Sequence, residues 1–273
     1  MNRLLPVFLL ACTAKDTPGD SGADTQADPS WVRISPGTFT IGCTQAQTDL
    51  CEQEEEGPAH EVTLTRGFFM DKKEITQSEF EAQMGNNPSE NQGCETCPVE
   101  QLSFDQAMAF ANARSQSESL SQCYVCQDDS CTAIEAFLNC PGYRLPTNAE
   151  WEVAARCGTD LIFSGSDDAF DVAWTAHSAT GSTHPGGERQ ANACGLFDLS
   201  GNVWEMVHDW YSPYSANSQF DPLGPNGGNL RTLRGGAWNL EPEHARVSNR
   251  WDYLEEAGNN VGFRLVRSDM AAD

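Results

Sequence analysis

The early part of the chain carries apolar residues in short strand-like runs. Val32 to Ile34, Thr38 to Ile41, Glu61 to Leu64 and Phe68 to Met70 predict four brief strands. Three helix starts follow, each marked by a hydroxyl residue with Glu or Gln three places later. Such a pair caps a helix reciprocally, the hydroxyl taking the N3 backbone N–H and the N3 side chain reaching back. Thr76-x-x-Glu79, Ser103-x-x-Gln106 and Thr147-x-x-Glu150 predict helices over 77–84, 104–115 and 148–156. On the second, Phe104, Ala107, Met108 and Ala111 fall at helical spacing and form one apolar stripe for the core. Beyond residue 160 Gly, Pro, Asn and Ser crowd the chain, which predicts mostly loops.

No break or repeat divides the sequence after Trp31, so one domain is expected over 30–271, with α+β content and little regular secondary structure. The start differs. Arg3 precedes an apolar run from Leu4 to Ala11, the pattern of an export signal over 1–11 and too short to span a bilayer. Leu9-Leu10-Ala11-Cys12 resembles the lipobox of bacterial lipoproteins, which makes Cys12 the expected lipid-attachment residue and the membrane a partner through that anchor. Thr13, in place of an Asp, points to the outer membrane. Residues 13–29 hold no aromatic and, proline aside, no apolar side chain larger than Ala, so 12–29 reads as a lipidated flexible tether.

Composition adds two constraints. The 16 Lys and Arg face 40 Asp and Glu, a formal charge of −24, which opposes binding to a phosphate backbone and excludes nucleic acid as an expected partner. The chain has 11 cysteines. Without Cys12 an even set remains: Cys43, Cys51, Cys94, Cys97, Cys123, Cys126, Cys131, Cys140, Cys157 and Cys194, which in an exported chain predicts a disulfide framework. Proximity favours Cys43 with Cys51, Cys94 with Cys97, two bridges among the four from Cys123 to Cys140, and Cys157 with Cys194. Zinc competes for the two Cys-x-x-Cys pairs, but thiols in an oxidising compartment are usually bridged.

Asp198 and Glu205 flank a Ser200-Gly-Asn202 turn. Two carboxylates beside closely spaced carbonyls suit a hard cation such as calcium, and they equally suit a solvated Asx turn; spacing alone favours the turn. Near the end, Arg234-Gly-Gly-Ala-Trp-Asn239, Arg246 to Arg250 and Gly262-Phe-Arg264 interleave arginines with aromatics, a pattern of ion pairs and stacks within an acidic protein.

Arg234 to Trp238 and Gly262 to Arg264, with Phe39 to Gly42, His60-Glu-Val62, Asp71 to Thr76, Pro98 to Ala107, Tyr143 to Glu152 and Gly195 to Glu205, together resemble the formylglycine-generating enzyme, or sulfatase-modifying factor, family. The resemblance runs in the family's order across roughly 30 to 270. It implies a variant of the C-type lectin fold that binds calcium. It also implies that Asp198 and Glu205 supply side chains, and Gly201 and Val203 carbonyls, to one calcium site, which makes calcium the better reading there. Family members that oxidise a sulfatase cysteine hold copper with two cysteines in the loop after the Gly-Gly turn. Here that loop, Asn239 to Ala245, has none, and no cysteine follows Cys194. Thiolate selects Cu(I), and neither a carboxylate nor a lone imidazole replaces it, so copper and the oxidase chemistry are not expected. His244 is the one imidazole in that loop and a weak catalytic candidate. The expectation is a calcium-stabilised binding or structural module with a protein, peptide or glycan ligand. The alternative is a formylglycine-generating oxidase or another metal-dependent oxygenase with an altered site near Glu241, Glu243 and His244.

Overall fold

A computed structural model describes residues 30–254 and 257–270. The signal segment 1–11, Cys12, the tether and residue 271 lie outside the described residues. The chain runs β1 (Trp31–Ile34), β2 (Gly37–Ile41), β3 (His60–Leu64), β4 (Phe68–Asp71), α1 (Gln77–Met84), α2 (Phe104–Ser117), β5 (Tyr124–Gln127), β6 (Ser130–Ala133), β7 (Tyr143–Arg144) and α3 (Asn148–Arg156). It continues with α4 (Ala169–Val172), β8 (Trp204–Trp210), β9 (Gln219–Phe220), β10 (Arg231–Arg234), β11 (Arg250–Tyr253), β12 (Val261–Gly262) and β13 (Val266–Ser268).

The strands form two four-stranded sheets, ordered β1-β4-β13-β7 and β11-β10-β8-β12, a three-stranded sheet β2-β3-β9 and the hairpin β5-β6. Pairing is antiparallel except for β12 on β8 and β9 on β3, which are parallel. The four strands expected from the sequence are β1 to β4, each within a residue of its predicted limits.

All three capping boxes are formed, and α1 and α3 have their predicted bounds. At α3, for example, Thr147 Oγ1 accepts from Glu150 N at 3.1 Å while Glu150 Oε2 accepts from Thr147 N at 2.8 Å. The stripe on α2 is buried as its spacing predicts, and Phe110 stacks on Phe80 with ring centroids 5.4 Å apart. Helix α3 is different: every residue from Asn148 to Arg156 is buried. A helix enclosed on all sides must neutralise its charges inside the protein.

The second half holds more strand than its composition predicts. The β11-β10-β8-β12 sheet comes from residues 204–262. β8 has buried residues on both faces from Trp204 to Val207, and β10, Arg231-Thr-Leu-Arg234, is buried throughout, so neither shows the alternation that marks a half-exposed strand.

Five disulfides join Cys43 to Cys51, Cys94 to Cys97, Cys123 to Cys140, Cys126 to Cys131 and Cys157 to Cys194. Within the quartet, one bridge is nested inside the other. The fold is α+β and disulfide-rich.

Candidate functional site

The Gly195 to Glu205 segment forms a tight turn in which Asp198, Gly201 and Asn202 all adopt positive φ. Gly201 is required there, because a Cβ would lie 2.3 Å from the Trp174 carbonyl oxygen. The turn delivers Glu205 into the core at the start of β8. Its Oε1 accepts from Arg264 Nη2 at 2.6 Å, and its Oε2 accepts from Arg264 Nε at 2.7 Å and Trp151 Nε1 at 2.8 Å. This two-pronged contact is the strongest geometry available to a carboxylate and a guanidinium.

Asp198 is buried without such a partner. Gly187 N donates to its Oδ2 at 2.7 Å, and its Oδ1 has no hydrogen-bond partner. Burial pushes its carboxyl up to about 6, against the pull of the Gly187 N–H and Arg264. A third buried carboxylate, Glu74, accepts from Asn202 Nδ2 at 2.7 Å and Val203 N at 3.2 Å. Burial raises it well above the usual carboxylate range, and Asp198 and Glu205 raise it further. Sequence reasoning assigned Glu74 no role. It lies within the Asp71 to Thr76 segment, and nothing in that local pattern shows that it is buried against the turn.

Glu205 is thus paired with Arg264, whereas Asp198 and Glu74 are buried with no salt bridge among the described residues. Asp198 Oδ1 is bare, and Glu205 uses three of a carboxylate's roughly four lone-pair directions. A bare, buried carboxylate oxygen is a hard donor of the kind calcium takes. Among the described residues no group of three His, Cys, Asp or Glu is arranged to hold a metal ion, so the carbonyls of Gly201 and Val203 would have to complete the shell.

On the outer side of β8, Trp204, Leu233, Leu240, His244, Trp251 and Tyr253 line a cleft of about 220 Å³. Trp204 is buried and Trp251 is 43% exposed, so one aromatic forms the floor and the other the lip. The His244 ring completes a triangle with them: its centroid is 6.4 Å from Trp204 and 5.9 Å from Trp251, which are 6.4 Å apart. Its Nδ1 is buried without a partner. The Gly-Gly turn creates this arrangement: Gly236 has φ +74°, and a Cβ there would lie 2.8 Å from the His244 carbonyl. Glu241 and Glu243 are exposed, and Glu241 pairs with His177 at 2.7 Å. The loop does not bring these two carboxylates and His244 together as one metal-binding group.

Comparison with known proteins supplies the family. A model of the sulfatase-modifying factor enzyme 1-like domain matches residues 17–269. The chain belongs to that family. It is 32% identical to the chaperone protein LppX of Paenibacillus barcinonensis, over 98% of this chain and 100% of the chaperone. The formylglycine-generating enzyme of Streptomyces coelicolor is 35% identical, over 48% of each chain. Among solved structures, Treponema denticola variable protein 1 superposes with a TM-score of 0.78 and 28% identity, covering 88% of this chain and 95% of that one. Within the family, this chain has both a carboxylate-rich turn and a cleft whose lining contains no sulfur, and every described cysteine is bridged.

Proposed function

We propose that this chain is a calcium-stabilised binding module of the cell envelope and not an oxidase. The observation that carries the reading is the cleft at Trp204, His244 and Trp251: it lies against the loop where oxidising relatives would place copper thiolates, and it presents aromatic and aliphatic walls. Such walls suit an apolar side chain of a polypeptide. The likeness to a protein named as a chaperone, over the full length of both, supports a polypeptide ligand over a glycan at this cleft.

Calcium would be held by Asp198, Glu205 and the carbonyls of Gly201 and Val203, and it would neutralise the surplus charge and lock the turn. The five disulfides fit an exported protein. The signal-like start and Cys12 extend that to a lipid anchor, facing the outer membrane. Mass spectrometry of the mature N-terminus tests this, and an unmodified Cys12 would remove the anchor.

The functional test is incubation of the chain with copper or iron and a Cys-x-Pro-x-Arg peptide, with aldehyde followed by mass. No aldehyde is expected. Aldehyde formation that disappears in His244→Ala would establish the altered-site oxygenase instead.

A further inference from the structure

A second cavity, of about 470 Å³, opens at the other end of β8. Its wall brings together β3, the first turn of α3, the end of β8 and the loop that follows, and none of these groups belongs to the aromatic cleft. Two side chains in its wall are more than nine-tenths buried and carry a polar atom with no partner: His60 Nε2 and Asn148 Oδ1.

The hydrogen-bond pattern fixes what these atoms need. His60 Nδ1 lies 3.1 Å from the Pro58 carbonyl, which can only accept, so Nδ1 carries a proton, and in the tautomer with its one proton there Nε2 is an acceptor. The Tyr214 hydroxyl donates to Glu152 Oε2 at 3.4 Å and accepts from Asn148 Nδ2 at 2.8 Å, which leaves Asn148 Oδ1 as an acceptor too. Asp209 adds a carboxyl, whose Oδ2 accepts the Asn148 N–H at 2.8 Å. The wall thus carries two acceptors with no partner, His60 Nε2 and Asn148 Oδ1, beside the Asp209 carboxyl.

Charge then narrows the ligand. Arg250 lines the same cavity and faces Asp209, so one positive and one negative group share the wall and a cation gains little. Arg250 commits three of its five N–H donors to the carbonyls of Glu55 and Ser212 and stacks on Tyr214 at 3.6 Å, and with Asp209 beside it an anion gains little either. A neutral molecule with several hydroxyl donors fits this wall. At the mouth Phe220 is 72% exposed and Leu223 is 37% exposed, an apolar platform beside a polar floor. A pyranose offers both complements, hydroxyls at its edge and a C–H face.

We propose that this cavity is a saccharide-binding site, with sugar hydroxyls donating to His60 Nε2, Asn148 Oδ1 and Asp209 and the C–H face resting on Phe220. The site is independent of the cleft and of calcium. Its size falls in the range of small-molecule sites, about 300–1,000 Å³.

The test is an NMR titration of the mature chain with glucose, galactose, mannose and N-acetylglucosamine in turn, and with butylamine as a cationic comparison. At least one sugar is expected to shift the Trp210 indole and Gly224 amide signals, with a dissociation constant on the order of 1 mM. His60→Phe, which keeps a ring against Tyr214, is expected to weaken that sugar about tenfold, equivalent to about 1.4 kcal/mol. Should His60→Phe fold poorly, Phe220→Ala at the exposed rim is expected to weaken the sugar about threefold with an unchanged melting temperature. The absence of shifts with every sugar at about 50 mM, which would mean that the cavity holds water only, overturns the proposal. So do shifts with butylamine alone, or full sugar affinity in the foldable variants.

Discussion

The core around α3 and the two ends of β8 treat buried carboxylates in opposite ways. Around α3 each carboxylate is clamped by arginine. Glu152 meets Arg156 Nη2 at 2.8 Å and Arg234 Nη2 at 2.5 Å, Glu150 is held by both terminal nitrogens of Arg144 at 2.7 Å, and Glu56 by both of Arg246 at 2.7 Å. At the ends of β8 Glu205 has its fork from Arg264, but Asp198, Glu74 and Asp209 are equally buried with no salt bridge to an arginine among the described residues. Burial raises all three above their usual range. Burial would also raise Glu152, but Arg156, Arg234 and the Gly42 N–H overcome it and hold that carboxyl low. The difference separates architecture from sites: charge neutralised within the fold stabilises it, and charge left over marks where something from outside fits.

The comparison breaks first at Glu152. Glu152→Ala strands Arg156 and Arg234 without their carboxylate, and the expected loss is about 3–5 kcal/mol, a large share of a typical domain's stability. Urea unfolding measures it. A loss below about 1 kcal/mol would mean that the clamps are not what holds α3 in the core.

Asp209 tests the other side through pH. Its carboxyl stands at about 7 in the folded chain against 3.8 when unperturbed, chiefly through burial. The folded state therefore holds that proton more tightly than the unfolded chain. The stabilisation is complete below pH 3.8 and is lost as pH rises to about 7. Asp209→Asn, which keeps the acceptor for the Asn148 N–H, removes this slope. Relative to wild type, the variant should gain on the order of 3 kcal/mol between pH 4 and pH 7.5. Parallel pH profiles for the two proteins would show that Asp209 titrates normally.

Legibility in the sequence follows the same division. β2 and β3 were readable because buried and more exposed positions alternate, β1 and β4 as short apolar-rich runs, and α1 to α3 because a capping box is local chemistry. β10 was not, because its two arginines are buried by partners distant in sequence: Arg234 reaches back to Glu152, 82 residues away. Asp198 and Glu205 could be singled out from spacing and resemblance. Glu74 could not, since its burial depends on Asn202 and Val203 folding over it from 128 and 129 residues away. His60 and Asn148 carry no local mark of a site either; only the fold places them in one cavity.

Calcium sharpens the contrast at Asp198. With calcium at about 100 times its dissociation constant, binding should contribute about 2.7 kcal/mol, lost on chelation and seen as a lower melting temperature. In Asp198→Asn the dependence on calcium should be blunted. In calcium-free buffer the same substitution should be neutral or mildly stabilising, the reverse of the loss at Glu152, because no arginine is stranded. An unchanged melting temperature on chelation of the wild type would remove the ion from the turn.

The smallest effect concerns the quality of a clamp. Arg246 donates from both terminal nitrogens to Glu56, one to each oxygen, and its Nε donates to the Glu243 carbonyl at 2.9 Å. Lysine would keep the charge, but a single ammonium cannot reproduce a planar fork on two oxygens and a carbonyl at once. Arg246→Lys should therefore leave the fold intact and cost about 1–2 kcal/mol, well below the loss at Glu152→Ala, where charge itself is stranded. Equal losses in the two variants would mean that fork geometry matters as much as charge balance. In that case the absence of an arginine contact at Asp198 and Asp209, rather than their surplus charge, would be what sets the ends of β8 apart from the core.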